Sequence, residues 1–466
     1  MITAPGELEI RAFPLVPPAE GWALLKVLAS GICGTDLHTF RGEIRQYVGT
    51  PHERTISYPV ICGHENVGTV AALGGEVLDA EGRPLRVGDR VVPGANVACG
   101  RCPSCRARLP YYACERLEDY GNSLGADRPP HLFGGWSEYM YVLPGSRLFR
   151  VPEGLPDAVA ALAEPMAVTH GLEHVEGGVA GATVYVLGCG PLGACHLVKA
   201  RAMGAVQVYV ADLRPARLEV ARRVGAAGAF LVGSTSEDDR LAAIREATDG
   251  RGADVVVEAS GSPDAFREGL RALRFGGTLI EVGAFVGSKP ATVDLAADIC
   301  LRDVRVLGVG GEDDAAYAPT LRLLAARWQE LGVGELVTDV LPLARAAEGI
   351  ARSVRSSGEG AARTGRGGVR RWVPAASPSQ VDHGAGEGPG DALHGLDLGH
   401  DELPELVHVP RLGADDHVVG AGDVLGLGDP LDLADLLRDL RGLAHLGLDE
   451  DVRLDHGHLL RSGPRC

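Results

Sequence analysis

No stretch of this 466-residue chain reaches the roughly 18 uninterrupted apolar residues of a membrane-crossing helix. The opening residues, MITAPGELEI, lack a basic segment followed by an apolar run, so no secretory leader is expected and the cytoplasm is the expected compartment. Positive charge is scarce. The formal net charge is −17, which argues against a nucleic-acid partner, because such binding is carried by basic side chains. Lysine is confined to Lys26, Lys199 and Lys289 while arginine is abundant, a bias that resembles GC-rich codon usage and carries no mechanism.

What is present is more informative. At this length two or three domains are expected, and 45% hydrophobic residues can fill their cores. The 65 glycines suit a fold with many tight turns and close backbone approaches. Ten cysteines in a reducing compartment point to metal or catalysis rather than disulfides.

Three textures follow one another. Residues 1–155 carry short apolar runs, at 23–29, 68–72 and 89–92, broken by Gly and Pro, and predict an irregular β-rich domain. Residues 156–312 alternate strands with helical patterns. The expected strands are 183–187, 207–211, 229–232, 254–258, 277–282 and 304–307, an order that predicts a parallel, doubly wound sheet. Residues 313–355 read as a helix (317–329), a strand-like piece (336–343) and a second helix (344–355), completing the first domain. From 356 to 466 the composition changes. This segment holds 8 of the 15 histidines, no Phe, Tyr, Ile, Lys or Met, and Trp372 as its one aromatic. Such a set packs poorly into a unique core. Three readings stand open: a disordered tail, an out-of-frame translation, or a metal-binding His tail.

The strongest local motif is Cys99-Gly-Arg-Cys102-Pro-Ser-Cys105, followed by Cys114. Four thiolates at short spacing close a tetrahedral zinc shell with no exchangeable position, so the site is structural. A second constellation joins Gly31-Ile-Cys33-Gly-Thr35-Asp36-Leu-His38 to Gly63-His64-Glu65 and, further on, Glu164-Pro165. One Cys, one His and one carboxylate make an open three-ligand site. Zinc there acts as a Lewis acid that lowers the pKa of a bound alcohol. Thr35, two residues beyond Cys33, is placed to carry the alcohol proton away. The third motif is Val184-Tyr-Val-Leu-Gly188-Cys-Gly190-Pro-Leu192-Gly193, after an apolar strand and opening a helical run, 194–203. Gly188 permits the turn, Gly190 lets a pyrophosphate approach the backbone, and Gly193 permits close helix–strand packing. Asp212 ends the next strand, 19 residues after Gly193. A carboxylate there accepts ribose hydroxyls and repels a 2′-phosphate, which favours NAD over NADP, with Arg214 and Arg217 close behind.

With these residues the chain resembles the zinc-containing medium-chain dehydrogenases, in the sorbitol, threonine and glucose dehydrogenase branch, over residues 3–355. The resemblance rests on GICGTDLH, YPVICGHENVGTV, VGDRVV, CGRCPSC, GGWSEYM, LAEPMAVTHG, VLGCGPLG, VVVEASG and FGGTLIEVG. It implies an α/β chain with a chaperonin-10-like catalytic domain, a Rossmann domain, and a homodimer or homotetramer. It implies that Cys33, His64 and Glu65 or Glu164 bind the catalytic zinc, that Thr35 and His38 relay a proton, and that Asp212 and Arg217 contact the adenosine ribose. Two zinc ions per chain, one structural and one catalytic, and NAD are the implied cofactors, with a small-molecule alcohol as substrate. Specificity is assigned to the loops at 42–57 and 120–131. Cys62 stands where the family has an aliphatic residue and is read as a small core residue. The family's first strand is expected to begin upstream of Met1, and its closing strand is not recognisable after Arg355. The rival readings are a zinc-free enone reductase on the same fold and a non-enzymatic zinc and nucleotide-binding relative.

Overall fold

The computed structural model describes residues 1–357 apart from 51–52, 285–286 and 288. Chain contacts divide the molecule after Arg371, and every described residue lies in the first part. The expectations for the tail from 358 onward fall outside the described residues.

Two sheets organise the chain. The first has strands β1 (Ala23–Ser30), β2 (Asn66–Leu73), β3 (Arg90–Pro93), β4 (Tyr139–Val142) and β5 (Leu148–Arg150). Its order is β4-β1-β2-β3-β5, all antiparallel. The buried side chains of β1 include Ala23, Leu24 and Leu25, and they pack with Val70, Val91, Met140 and Tyr141 in one apolar cluster. Cys62 is fully buried in the same cluster, as expected of a small core residue.

The second sheet has strands β6 (Thr183–Leu187), β7 (Gln207–Asp212), β8 (Gly228–Leu231), β9 (Ala253–Glu258), β10 (Leu273–Glu281) and β11 (Arg305–Gly308). It is parallel throughout, in the order β8-β7-β6-β9-β10-β11. This is the dinucleotide-binding order of the doubly wound fold, with the strand order reversing beside β6. All five residues of β6 are buried, as a central parallel strand covered on both faces requires.

The helices follow from caps and periodicity. The helix α1 (Gly34–Arg41) starts from Cys33 and ends at Gly42 in the left-handed conformation. The helix α2 (Pro191–Ala202) carries Pro at its first position, where the missing N–H costs nothing. Then come α3 (Pro215–Arg223), α4 (Glu237–Glu246) and α5 (Pro263–Ala272), which connect the parallel strands. Beyond the sheet, α6 (Asp314–Arg327) buries Tyr317, Leu321 and Leu324 in the cluster behind β6, and α7 (Ala346–Ser357) returns Ile350 to the core of the first sheet.

The strand-like piece expected at 336–343 is not a strand. Residues Val333–Leu336 form a 3-10 turn, the chain to 342 is irregular, and Val340 is exposed. Alternating apolar residues make a strand only when a neighbouring strand pairs with their N–H and C=O groups, and no strand among the described residues pairs with this segment. Among the described residues no helix is long and apolar enough to cross a membrane.

Candidate active site

Cys33, His64 and Glu65 come from two segments pinned together by Asp36. Cys33 is the N-cap of α1, and its N–H donates to Asp36 Oδ2 at 2.8 Å. The other oxygen, Oδ1, accepts Gly63 N–H at 3.2 Å and lies 3.8 Å from His64 Nδ1. Two glycines make room. A Cβ on Gly31 would lie 1.7 Å from Glu65 Oε2, and one on Gly63, at φ +94°, would lie 2.5 Å from Ser30 Oγ. The donor atoms of Cys33, His64 and Glu65 all lie within 4.8 Å of one another, and a thiolate, an imidazole and a carboxylate are the ligand types that zinc takes. Glu164, buried on the short helix Ala163–Ala167, lines the same cavity.

The electrostatics suit a bound cation. Burial pushes the Cys33 thiol well above its ordinary value, with Glu65 and Asp36 adding to the rise. Burial likewise raises the Glu65 carboxyl to about 7 and the Glu164 carboxyl well above the usual range. Burial pulls the His64 imidazole down, but the charges of Asp36, Glu164, Glu65 and Glu312 outweigh it and carry it up to about 9. A buried thiol, imidazole and carboxylates without a cation are costly. A divalent metal removes that cost and keeps the ligands deprotonated.

The four cysteines of the lobe also gather within 4.8 Å of one another. Cys102 caps the short helix Pro103–Arg106, and the Cys105 N–H points at its sulfur at 3.5 Å. The N–H groups of Cys105 and Glu115 hold the Cys102 thiol down at about 6. Cys114 Sγ accepts the N–H groups of Cys99 at 3.3 Å and Arg116 at 3.4 Å. Burial outweighs these amides at Cys114 and pushes its thiol up, and it pushes Cys105 up to about 12; a divalent metal bound by the four sulfurs would keep them as thiolates.

Thr35 Oγ1 sits 3.8 Å from Cys33 Sγ. His38, one turn along α1, pairs through Nδ1 with Glu43 and is about one-third exposed. Both line one cavity of about 740 Å³ that runs from Cys33 and His64 to the Gly-rich turn.

At that turn Gly188 has φ +89°, and a Cβ there would lie 2.7 Å from the Ser260 Cβ. A Cβ on Gly193 would lie 1.9 Å from Gly188 O. Gly190 caps α2 and Leu192 lines the cavity. Asp212 closes β7 and ties the turn down. Its Oδ2 accepts Cys189 N–H at 2.8 Å and Arg217 Nη1 at 3.3 Å, and Oδ1 accepts Arg214 N–H at 2.8 Å. The residues expected in the metal and dinucleotide sites belong to this cavity wall or to the cysteine lobe, except Gly193, which packs behind the turn against Gly188 and does not line the cavity.

Two participants escaped the sequence reading. Asp36 stood inside a quoted motif, and its signal was the capping-box position three residues after Cys33. Glu312 had no local signal. It is buried and bonded to Asn96 and Tyr111, both far away in sequence.

Comparison with known proteins gives concordant findings. Residues 19–153 match the alcohol dehydrogenase GroES-like domain, and residues 191–326 match the zinc-binding dehydrogenase domain. The chain is 33% identical over 313 residues to an L-threonine 3-dehydrogenase of Pyrococcus horikoshii, covering 67% of this chain and 82% of that protein. It is 34% identical over 279 residues to a sorbitol dehydrogenase of Bacillus subtilis, covering 59% and 72%. A solved alcohol dehydrogenase from Thermotoga maritima superposes with a TM-score of 0.68 at 31% identity, over 74% of this chain and 93% of that one.

Proposed function

The chain belongs to the zinc-dependent medium-chain alcohol dehydrogenases, in the sorbitol and threonine dehydrogenase-like branch, and from that premise we propose that it oxidises a secondary alcohol to a ketone with NAD as hydride acceptor. It is a nicotinamide-linked oxidoreductase acting on hydroxyl groups. The observation that carries the finer reading is the donor set of Cys33, His64 and Glu65 in the wall of the cavity that reaches the Gly188–Leu192 turn.

Cys33, His64 and Glu65 or Glu164 would hold a zinc ion whose Lewis acidity makes a hydroxyl easier to ionise, and Gly188, Gly190, Leu192 and Gly193 would hold the NAD that takes the hydride. Thr35 accepts the hydroxyl proton, and its 3.8 Å spacing from Cys33 Sγ supports that role. His38 passes the proton to solvent, since its ring is partly exposed and Glu43 steadies it. Asp212 keeps the Gly-rich turn closed and Arg217 covers it, its guanidinium 3.6 Å from the position of a Gly190 Cβ. Asp36 orients the ligand-bearing segments. Cys99, Cys102, Cys105 and Cys114 would hold a second, structural zinc.

The domain division follows the two sheets: 1–155, completed by 313–355, for the catalytic part, and 156–312 for the dinucleotide part. The cytoplasm is the proposed compartment, supported by the nine described cysteines, all unpaired. A homodimer or homotetramer is supported by the open edge of the parallel sheet at β11, where Val306, Leu301 and Phe275 are exposed; a monomer by light scattering would exclude it.

The test is NADH formation over a panel of secondary alcohols with the zinc-loaded enzyme. Turnover of at least one polyol or amino alcohol is expected. Zinc-loaded protein inert toward the whole panel would contradict the reading, and reduction of enones without zinc would favour the rival reductase.

A further inference from the structure

The parallel sheet ends in two carboxyl groups that hydride transfer does not use. Glu258 closes β9, Glu281 closes β10, and they are register partners on adjacent strands. Glu258 is fully buried. Its Oε1 accepts the Ser260 N–H at 2.8 Å and the Ser260 hydroxyl, and its Oε2 accepts the Gly261 N–H at 2.9 Å. Glu281 is half-buried, and its Oε1 accepts the N–H groups of Gly283 at 3.1 Å and Ala284 at 3.0 Å. The two groups meet at Gly283, which bonds to Glu281 and where a Cβ would lie 2.7 Å from Glu258 Oε2.

Each carboxyl thereby ties down the turn after its own strand, and these turns are packed backbone against backbone. A Cβ on Gly261 would lie 2.5 Å from Gly283 O, and one on Gly188 would lie 2.8 Å from Ser260 N. The turns after β6, β9 and β10 therefore form one stack, with Gly188, Ser260 and Gly283 all lining the cavity. Like charges in register repel, and one proton held between two carboxylates removes the repulsion. Among the described residues the neighbouring charges are engaged elsewhere. The outer strand partners are Leu187 beside Glu258 and Gly308 beside Glu281, both uncharged. On the elements packed against the pair, Asp264, Glu268 and Arg271 of α5 are taken by Arg267, Arg240 and Glu237, Lys199 of α2 by Glu173, and Arg305 of β11 by Glu176. Burial and the charge of Glu258 push the Glu281 carboxyl up to about 7, against the pull of the Ala284 and Gly283 N–H groups.

We propose that Glu258 and Glu281 share one proton and act as positioning residues for the stacked turns, so that losing the proton spreads the turns and weakens NADH binding. The inference rests on the dinucleotide-linked dehydrogenase reading above and adds to it two residues outside the metal and Gly-rich motifs. The charge uncovered when the proton leaves also faces a ligand whose pyrophosphate is itself negative. A carboxyl held up in the folded protein contributes stability that is full below its unfolded value of about 4.3 and is lost as pH rises through about 7. The same rise in pH loosens the stack.

The experiment titrates NADH by fluorescence, between about pH 6 and 8, into the wild type and into Glu281→Gln, whose amide keeps an oxygen for the turn and cannot ionise. The wild-type dissociation constant is expected to rise roughly fivefold or more over this range, the usual size of coupling between two sites, while that of Glu281→Gln stays level. Parallel changes in the two proteins, or a level wild type, overturn the proposal. A wild type that binds no NADH at any pH contradicts the dehydrogenase reading instead. Thermal melting then decides the role of the pair: Glu281→Gln should gain in Tm on the wild type as pH rises over the same range, and Tm curves that run parallel refute the shared proton.

Discussion

Replacing Asp36 by Asn probes how the ligand-bearing segments are joined. The Asp36 side chain is fully buried and accepts two backbone N–H groups, from Cys33 at 2.8 Å and from Gly63 at 3.2 Å. It also faces His64 Nδ1 at 3.8 Å. An Asn keeps one oxygen for one of these donors and turns an NH2 toward the other. One charge-assisted bond is lost, roughly 1.5–3 kcal/mol, and a buried N–H is left facing a donor. At about 2–4 °C per kcal/mol for a chain of this size, Tm is expected to fall by roughly 5 °C. The orienting charge beside His64 disappears as well. Removing an outer-shell partner of this kind costs about 10–100-fold in metal affinity. Chelator competition followed by elemental analysis, on wild type and Asp36→Asn, reads the effect directly. Zinc should leave the Cys33 site more readily while the four-cysteine site keeps its ion. A variant that melts with the wild type and gives up zinc no faster would show that Asp36 does not hold the two segments.

Asp212→Ala should narrow the preference for NAD over NADP, measured as the ratio of kcat/KM values, and a wild-type enzyme that prefers NADP would remove the role given to Asp212. Asp79 offers a pH test away from the metal. Burial pushes its carboxyl up, but the Arg83 N–H and the guanidinium groups of Arg150 and Arg83 outweigh this and hold it at about 2. A depressed folded pKa contributes stability that is present above the unfolded value of about 3.9 and is lost as pH falls toward 2. Asp79→Asn should therefore cost about 2 kcal/mol near neutrality, read by chemical denaturation, with the gap to wild type closing between pH 4 and about 2. A gap that persists unchanged in acid would show that the charge of Asp79 is not its source.

Much of the architecture could be read in advance because it is written locally. The β6 strand is expected at 183–187 and is found there, since the β-formers Thr183, Val184, Tyr185 and Val186 run into Leu187 and a Gly-rich turn ends the run. The four-cysteine lobe was legible from spacing alone. β10 begins at Leu273 rather than at the expected 277, since Gly276, at φ +68°, lies within the strand, beside a register shift in its ladder with β9. The segment at 336–343 failed for a different reason: its alternation was real, but strand formation depends on a neighbour that the segment itself does not encode. Glu312 was invisible because its hydrogen-bond partners lie 216 and 201 residues away in the chain. Only folding brings the end of β11 against Asn96 and the cysteine lobe.

The central claim, zinc-dependent alcohol oxidation at Cys33, His64 and Glu65 or Glu164, is tested most directly by zinc content measured beside NADH formation in three proteins. The wild type should carry two zinc ions per chain and oxidise a secondary alcohol. Cys33→Ser should fold, keep one ion and make no NADH. Cys102→Ser should lose the other ion and fold poorly, because a structural zinc contributes folding energy directly. A wild-type protein that holds no zinc and still oxidises alcohols would contradict the account.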